Sequence, residues 1–581
     1  MIKNISEEQL AKVRRRLRFL YGDQAERLAE RFYYLIGRYG VGIERKPMQK
    51  RRWDQKDVML ITYADMVHKE GERPLQTLTR FCSDQLKGAV STVHILPFYP
   101  WSSDDGFSVI DYREVEQEYG KWEDVEALGK DFNLAFDLVL NHCSSKSEWF
   151  RDFLMGIAPA KHYFLEMDPK TDTSKVFRPR TTPVLTKTQT KEGEAYVWTT
   201  FSADQVDLNW QNPDLLFEFL DILFLYISKG ARILRLDAVA FCWKEQDTSC
   251  IHLPQTHELV KLIRDVCEIV APEVIILTET NVPHPENISY FGKSDEAHMV
   301  YNFTLPPLTL HALLTGSGKY LTQWAEKLEY PDDSCTFLNF TASHDGIGVG
   351  GARGILSEQE IDTMAKAVED NGGQVSRKTN ADGTESIYEM NITYSSALMI
   401  EGDPALSSDR FLCSQGIALA MRGVPAVYFH SLIGTPNYTD GVKETGRART
   451  INRRKYEEGE LFRVLSNPNN TQGGTFRKYV QLLRRRANNP AFNPDGSQFI
   501  HDIGEHFFVI ERRSLLGNQR IYCIFNLTAK EQILKNPANN EVLQKAKKFY
   551  DIVSGKTFSS GKKGVKMAPY QFFWLVPREE S

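Results

Sequence analysis

The eight cysteines are scattered and form no CxxC pair, so neither a zinc site nor a disulfide framework organises this chain. Reduced thiols in a cytoplasmic protein are the plain expectation. Long apolar runs are missing too. No stretch is long enough to span a bilayer, and the opening MIKNISEEQLAKVRRRL has no signal-peptide core. A large excess of charge of one sign is missing: a net charge of −5 over 581 residues gives no reason to expect nucleic acid or an anionic membrane as partner. Arg14, Arg15, Arg16 and Arg18 form a basic stretch. They lie beside Leu10, Val13, Leu17 and Leu20 at helical spacing, which predicts a solvated helix face.

What is present reads as one large domain carrying smaller ones, since 581 residues exceed an ordinary single core. Apolar and charged fractions of 41% and 25% are ordinary for a globular protein. Residues 1–56 read as a polar helical leader. Apolar strand-like runs then alternate with helical stretches: DVMLITYAD, TVHILPFYP, LAFDLVLNH, ARILRLDA, VIILTE, CTFLNFTASHD and PAVYFHSLIG. That alternation argues for a parallel sheet with helices outside it. We expect an α/β fold, a (β/α)8 barrel over 57–143, 200–347 and 404–493, with its remaining strands inferred. Two long polar segments, 144–199 and 348–403, interrupt it as inserted subdomains, here termed B and B′. Loops this long are usually functional. Beyond 494, HFFVIERRS, RIYCIFNLT and YQFFWLVP predict a C-terminal all-β domain, a β-sandwich.

Four of these runs lead into polar groups: FDLVLNH (136–142), ILRLDA (233–238), VIILTETN (274–281) and TASHDG (341–346). Polar groups at the C-terminal ends of barrel strands are where this architecture builds active sites. Asp237, Glu279 and Asp345 supply the three carboxylates of a retaining glycosidase-type site: one to attack, one to move a proton, one to hold substrate. Arg235 shares a strand face with Asp237, which predicts a lowered pKa for a nucleophile kept ionised. Glu279 ends an apolar run, and burial raises a carboxyl pKa as a general acid requires. His344 and Asp345 together fit two adjacent sugar hydroxyls. Asp137 and Asn141 share strand parity and fit either a Ca²⁺ site or a hydrogen-bonding network. His94, beside an aromatic and proline cluster, is a candidate sugar contact.

The ordered set FDLVLNH, ILRLDA, TET and SHD, with QVDLN at 205–209, resembles the α-amylase superfamily. Its sucrose phosphorylase branch is closer still, through ITYAD (61–65), VHILPFYPWSSDDGFSVIDY (93–112), FSADQVDLN (201–209), TSCIHL (248–253), LPPL (305–308) and ARTINR (448–453). Within that branch the form with a leader resembles phosphorylases of glucosylglycerate and glucosylglycerol. The resemblance implies Asp237 as nucleophile, Glu279 as general acid/base and Asp345 as transition-state stabiliser. It implies Asp65, His94, Arg235, His344 and Arg449 around the glucosyl ring. Phe201 and Gln205 match residues that favour transfer over hydrolysis and face the acceptor.

The sequence departs from sucrose phosphorylases at Phe241, Asn281 and Thr450, where those enzymes carry tyrosine, histidine and aspartate. All three lie toward the acceptor, so fructose is a doubtful leaving group. Lys443 and Arg447 are candidate phosphate cations, since guanidinium matches phosphate well. The expected activity is retaining phosphorolysis of 2-O-α-glucosylglycerol, with glucosylglycerate next, then sucrose, then plain hydrolysis. Expected partners are small molecules only: an α-glucoside, inorganic phosphate, and glycerol or glycerate. A homodimer is the candidate assembly. The chemistry requires no organic cofactor and no metal.

Overall fold

Eight short runs rich in Val, Ile and Leu pair in parallel, each with its neighbour in the chain, and close on themselves. They are β1 (Met59–Thr62), β2 (Thr92–Ile95), β3 (Asn133–Val139), β4 (Ala231–Asp237), β5 (Ile275–Thr278), β6 (Met299–Tyr301), β7 (Thr336–Asn339) and β8 (Val424–Tyr428). The first and last strands also pair, Leu60 opposite Val427, so the barrel has no edge. β6, three residues long, lies outside the strand-like runs of the sequence. This computed structural model describes residues 5–39, 51–380, 382–467, 469–534, 548–559 and 564–578. Apart from Asn133 and Arg232 near the strand starts, the barrel-strand residues are buried on both faces, as a helix-covered parallel barrel requires.

The leader folds as α1 (Glu7–Tyr21) and α2 (Ala25–Arg38). Ser6 caps α1 reciprocally with Gln9, satisfying two of the N–H groups a helix start leaves orphaned. Arg14, Arg15 and Arg18 are exposed as expected; Arg16 is not. It is buried, with Asp265 at 3.0 Å, Glu258 at 3.1 Å and Asp295 at 3.3 Å. Arg16 sits beside Leu17 and Val13 on the face that packs on the barrel, where only paired charge is tolerated. Residues 40–50 of the leader lie outside the described residues.

α3 (Pro213–Ser228) and α4 (Pro254–Val270) pack outside the strands, α3 opening with Asn212 as cap and Pro213 as first residue. The 144–199 segment carries helix Glu148–Met155 and the hairpin Leu185–Thr190 with Gly193–Trp198. The 348–403 segment carries helix Glu358–Asp370 and the hairpin Gln374–Thr379 with Glu385–Asn391, which Ile347–Gly348 extends. The C-terminal region forms a six-stranded antiparallel sheet and a separate two-stranded ribbon. Strand alternation divides it: Phe508 and Ile510 join the main core, whereas Val509, Tyr522 and Ile524 form a second core.

Candidate active site

β4 ends at Asp237, and the next residue, Ala238, turns left-handed at φ 48°. A non-glycine residue there carries backbone strain. The turn aims the Ala238 N–H at Glu279 Oε2, 3.3 Å away, joining the ends of β4 and β5. Arg235 lies two residues back on the same strand face. Its Nη1 donates to Asp237 Oδ1 at 2.6 Å and to Asp137, and its Nη2 lies 3.9 Å from Glu279 Oε2. One guanidinium therefore reaches both candidate catalytic carboxyls.

Arg235 lowers the Asp237 pKa as expected, but the net shift is upward. Burial dominates and, with repulsion from Glu279, pushes Asp237 up to about 8 despite the arginine. Glu279 is raised as well, by burial first, with Arg235 opposing. Both shifts oppose full ionisation of the pair, so the two carboxyls compete for negative charge. Arg235 stands closer to Asp237 and so draws the remaining negative charge there. Asp345 goes the other way: burial would raise it, but Arg449 foremost among its cations holds it well below the usual carboxylate range.

Asp345 follows β7, and its Oδ1 lies 2.6 Å from Arg449 Nη1. Phe107 stacks on His344 at 4.5 Å, nearly parallel. Burial lowers the His344 pKa to about 3, leaving a neutral imidazole whose Nδ1 has no hydrogen-bond partner among the described residues. Phe107 owes its position to Gly106 at φ 110°, where a Cβ would meet the Pro97 carbonyl oxygen at 2.3 Å. The same loop brings Asp104 to the cavity rim.

These groups line one cavity. Asp237, Glu279, Asp345, His344 and Arg449 form its floor, and Phe201, Gln205, Phe241 and Asn281 also line it. Phe241 meets Phe201 edge-on at 5.4 Å and Phe177 at 6.1 Å, an apolar stretch of the cavity wall. Arg180, from subdomain B, lies 5.6 Å from the Phe201 ring and 5.3 Å from that of Tyr388 in subdomain B′. No carboxylate is recorded within salt-bridge distance of it among the described residues.

Besides Arg235, four sequence candidates for substrate contact are not among the residues that line this cavity. Asp65 pairs with Lys455 at 2.5 Å and does not line the cavity. His94 is fully buried inside the barrel, its Nε2 2.6 Å from Asp137 Oδ2, because its strand parity turns it inward. Lys443 is exposed and pairs with Asp440 at 3.2 Å on a surface helix. Arg447 lines an adjoining outer cleft with Arg180 and Arg449, rather than the cavity itself. The groups that take up the cavity positions are Asp104, Phe107 and His142, together with Arg180, Tyr388 and Glu389 from the two insertions. His142 closes FDLVLNH, so the run that suggested a strand end did carry a signal for it.

The two readings of Asp137 and Asn141 separate. Asp137 is taken by Arg235 and His94. Between Asn141 Oδ1, at 2.6 Å, and Asp207 Oδ2, at 2.5 Å, stands the Lys244 ammonium. A network built on a side-chain cation occupies this place. No group of three or more His, Cys, Asp or Glu suited to a metal occurs among the described residues.

The sequence profile described as "Alpha amylase, catalytic domain" matches residues 86–345. The chain is similar to the glucosylglycerate phosphorylase of Spirochaeta thermophila, 43% identical over 582 residues, covering 98% of this chain and 99% of that relative. Likeness to the glucosylglycerol phosphorylase of Marinobacter adhaerens is lower, 28% over 450 residues, covering 75% and 88%. Among solved structures, sucrose 6F-phosphate phosphorylase from Thermoanaerobacter thermosaccharolyticum matches with a TM-score of 0.71 at 26% identity, over 81% of this chain and 94% of that one.

Proposed function

This chain belongs to the α-amylase family as a glucosyl-transferring disaccharide phosphorylase of the sucrose phosphorylase kind, and on that premise we propose that its substrate is a glucosylglycerate. The reaction is reversible phosphorolysis to α-glucose 1-phosphate and glycerate. Asp237 attacks the anomeric carbon while Glu279 passes its proton to the glycosidic oxygen, and glycerate departs. Phosphate then attacks the same face of the β-glucosyl ester, its proton returns to Glu279, and Asp237 leaves; two inversions give retention. Asp345 and His344 hold the ring hydroxyls, where a grip that tightens as the ring flattens lowers the barrier.

The observation that carries the choice of acceptor is Arg180, a cavity cation not committed to a carboxylate. Leaving group and phosphate use the same face of the sugar in turn. One guanidinium can therefore serve the glycerate carboxylate in the first half-reaction and phosphate in the second. Glycerol would leave this cation idle for half the cycle. The ranking of glycerol ahead of glycerate drawn from the sequence is accordingly reversed, and the difference between 43% and 28% identity supports the same order. The apolar wall of Phe177, Phe201 and Phe241 offers few hydrogen bonds to a bulky furanose. Eight buried, unpaired thiols fit a reducing, cytoplasmic setting. Phosphate release from α-glucose 1-phosphate with D-glycerate, glycerol, fructose or water as acceptor tests the proposal. Glycerate should be fastest; faster turnover with glycerol overturns it.

A further inference from the structure

Glu389 is a buried carboxylate on the cavity wall that the chemistry above does not use. It belongs to the B′ hairpin, opposite Gly348 on one strand and Ser376 on the other, where the register shifts between Ser376 and Arg377. Its side chain meets Arg449 in a fork: Nε donates to Oε1 at 3.0 Å and Nη2 to Oε2 at 2.7 Å. Such a two-point contact fixes the plane of a guanidinium. The remaining corner, Nη1, projects to Asp345 Oδ1 at 2.6 Å. That contact is an ion pair without hydrogen-bond alignment, since Asp345 Oδ1 has no aligned donor. Arg449 is thus held square to Glu389 and only leans on Asp345.

We propose that Glu389 is a positioning residue, holding Arg449 so that its charge stabilises ionised Asp345 without capturing the carboxylate oxygens that grip the glucosyl ring. Without the fork, Arg449 is free to rotate into a full bidentate pair with Asp345 and withdraw it from the sugar. A further consequence follows from where Glu389 sits. The B′ hairpin reaches the catalytic floor through this pair, so the insertion and the floor are assembled together. The inference concerns the glucosyl half of the reaction and holds whether the acceptor is glycerate or glycerol.

The test is a double-mutant cycle on Glu389→Gln and Arg449→Ala, read by arsenolysis of α-glucose 1-phosphate, which needs no organic acceptor. Glu389→Gln should keep the wild-type melting temperature within a few degrees and lower kcat about 10–100-fold, the scale of a small misplacement of a reacting group. If Glu389 acts through Arg449, the double variant should be no worse than Arg449→Ala alone. Glu389→Asp, which keeps the charge, should recover part of the loss, and it replaces Glu389→Gln in the cycle should the latter fail to fold. Losses that multiply in the double variant overturn the proposal, as does a single variant with unchanged kcat. Failure of glycerate as acceptor leaves this result untouched.

Discussion

Arg180→Gln separates the anionic acceptor from the neutral one. The substitution removes the charge and keeps a planar polar group beside Phe201 and Tyr388. A hydrogen bond to a charged group contributes about 1.5–3 kcal/mol, and 1.4 kcal/mol is a factor of ten. Arg180 is half-buried, so solvent screening favours the lower part of that range, about 10–30-fold. Turnover with D-glycerate and with phosphate should each fall by that factor in kcat/KM. Glycerol should change by less than about threefold, a difference within ~0.7 kcal/mol. Any loss from weakened stacking on the two rings affects both acceptors and cancels in their ratio. The measurement is therefore the glycerate-to-glycerol ratio of initial rates, followed by phosphate release from α-glucose 1-phosphate. Equal proportional losses with both acceptors would refute the assignment of Arg180 to the carboxylate.

Other outcomes follow from the same geometry. Asp237→Ala and Glu279→Gln should each lower phosphorolysis by several orders of magnitude, but Glu279→Gln should regain much of its rate with α-glucosyl fluoride, whose leaving group needs no proton; no such rescue would move the acid role elsewhere. Above the ordinary carboxylate range the folded Asp237–Glu279 pair keeps a proton that the unfolded chain has lost, so the pair costs stability increasingly as pH rises. Asp237→Asn should therefore raise the melting temperature more at pH 8 than at pH 5, and a constant difference counts against the raised pKa. Lys244→Met should destabilise by about 3–5 kcal/mol, because it leaves the buried Asp207 carboxylate without its cation; denaturant unfolding with a loss under 1 kcal/mol would contradict that.

The clustering of carboxyls was legible in the sequence because Asp237 and Glu279 are fixed by strands whose own residues announce them: the apolar run and the polar end are one local signal. Asp345 follows β7 by the same rule. The rest of the site depends on distant packing. Arg180, Tyr388 and Glu389 sit on insertions whose polar sequence says loop and nothing about which side chain turns inward. The same local signal singled out His94 and Asp65, which are paired with Asp137 and Lys455. A polar group near a strand end reads alike whether parity sends it into the barrel, as His94 goes to Asp137, or it lies beyond the strand and meets another partner, as Asp65 meets Lys455. Asp104 was masked differently: the DDG turn announces a bend, and only the approach of Gly106 to Pro97 reveals that it delivers a carboxylate. Arg16 looked solvated because three neighbouring arginines are, yet helical phase placed it with Val13 and Leu17.

The ammonium of Lys244 has a consequence for how this barrel responds to its surroundings. Asn141 and Asp207 hold a cation that is covalently part of the chain, one per molecule, installed when the protein is translated. It cannot be stripped by a chelator, exchanged for a competing ion or left empty when ions are scarce. The scaffold under the B insertion is therefore as complete in a dilute buffer as in a crowded cell. Only a change in the gene can empty it.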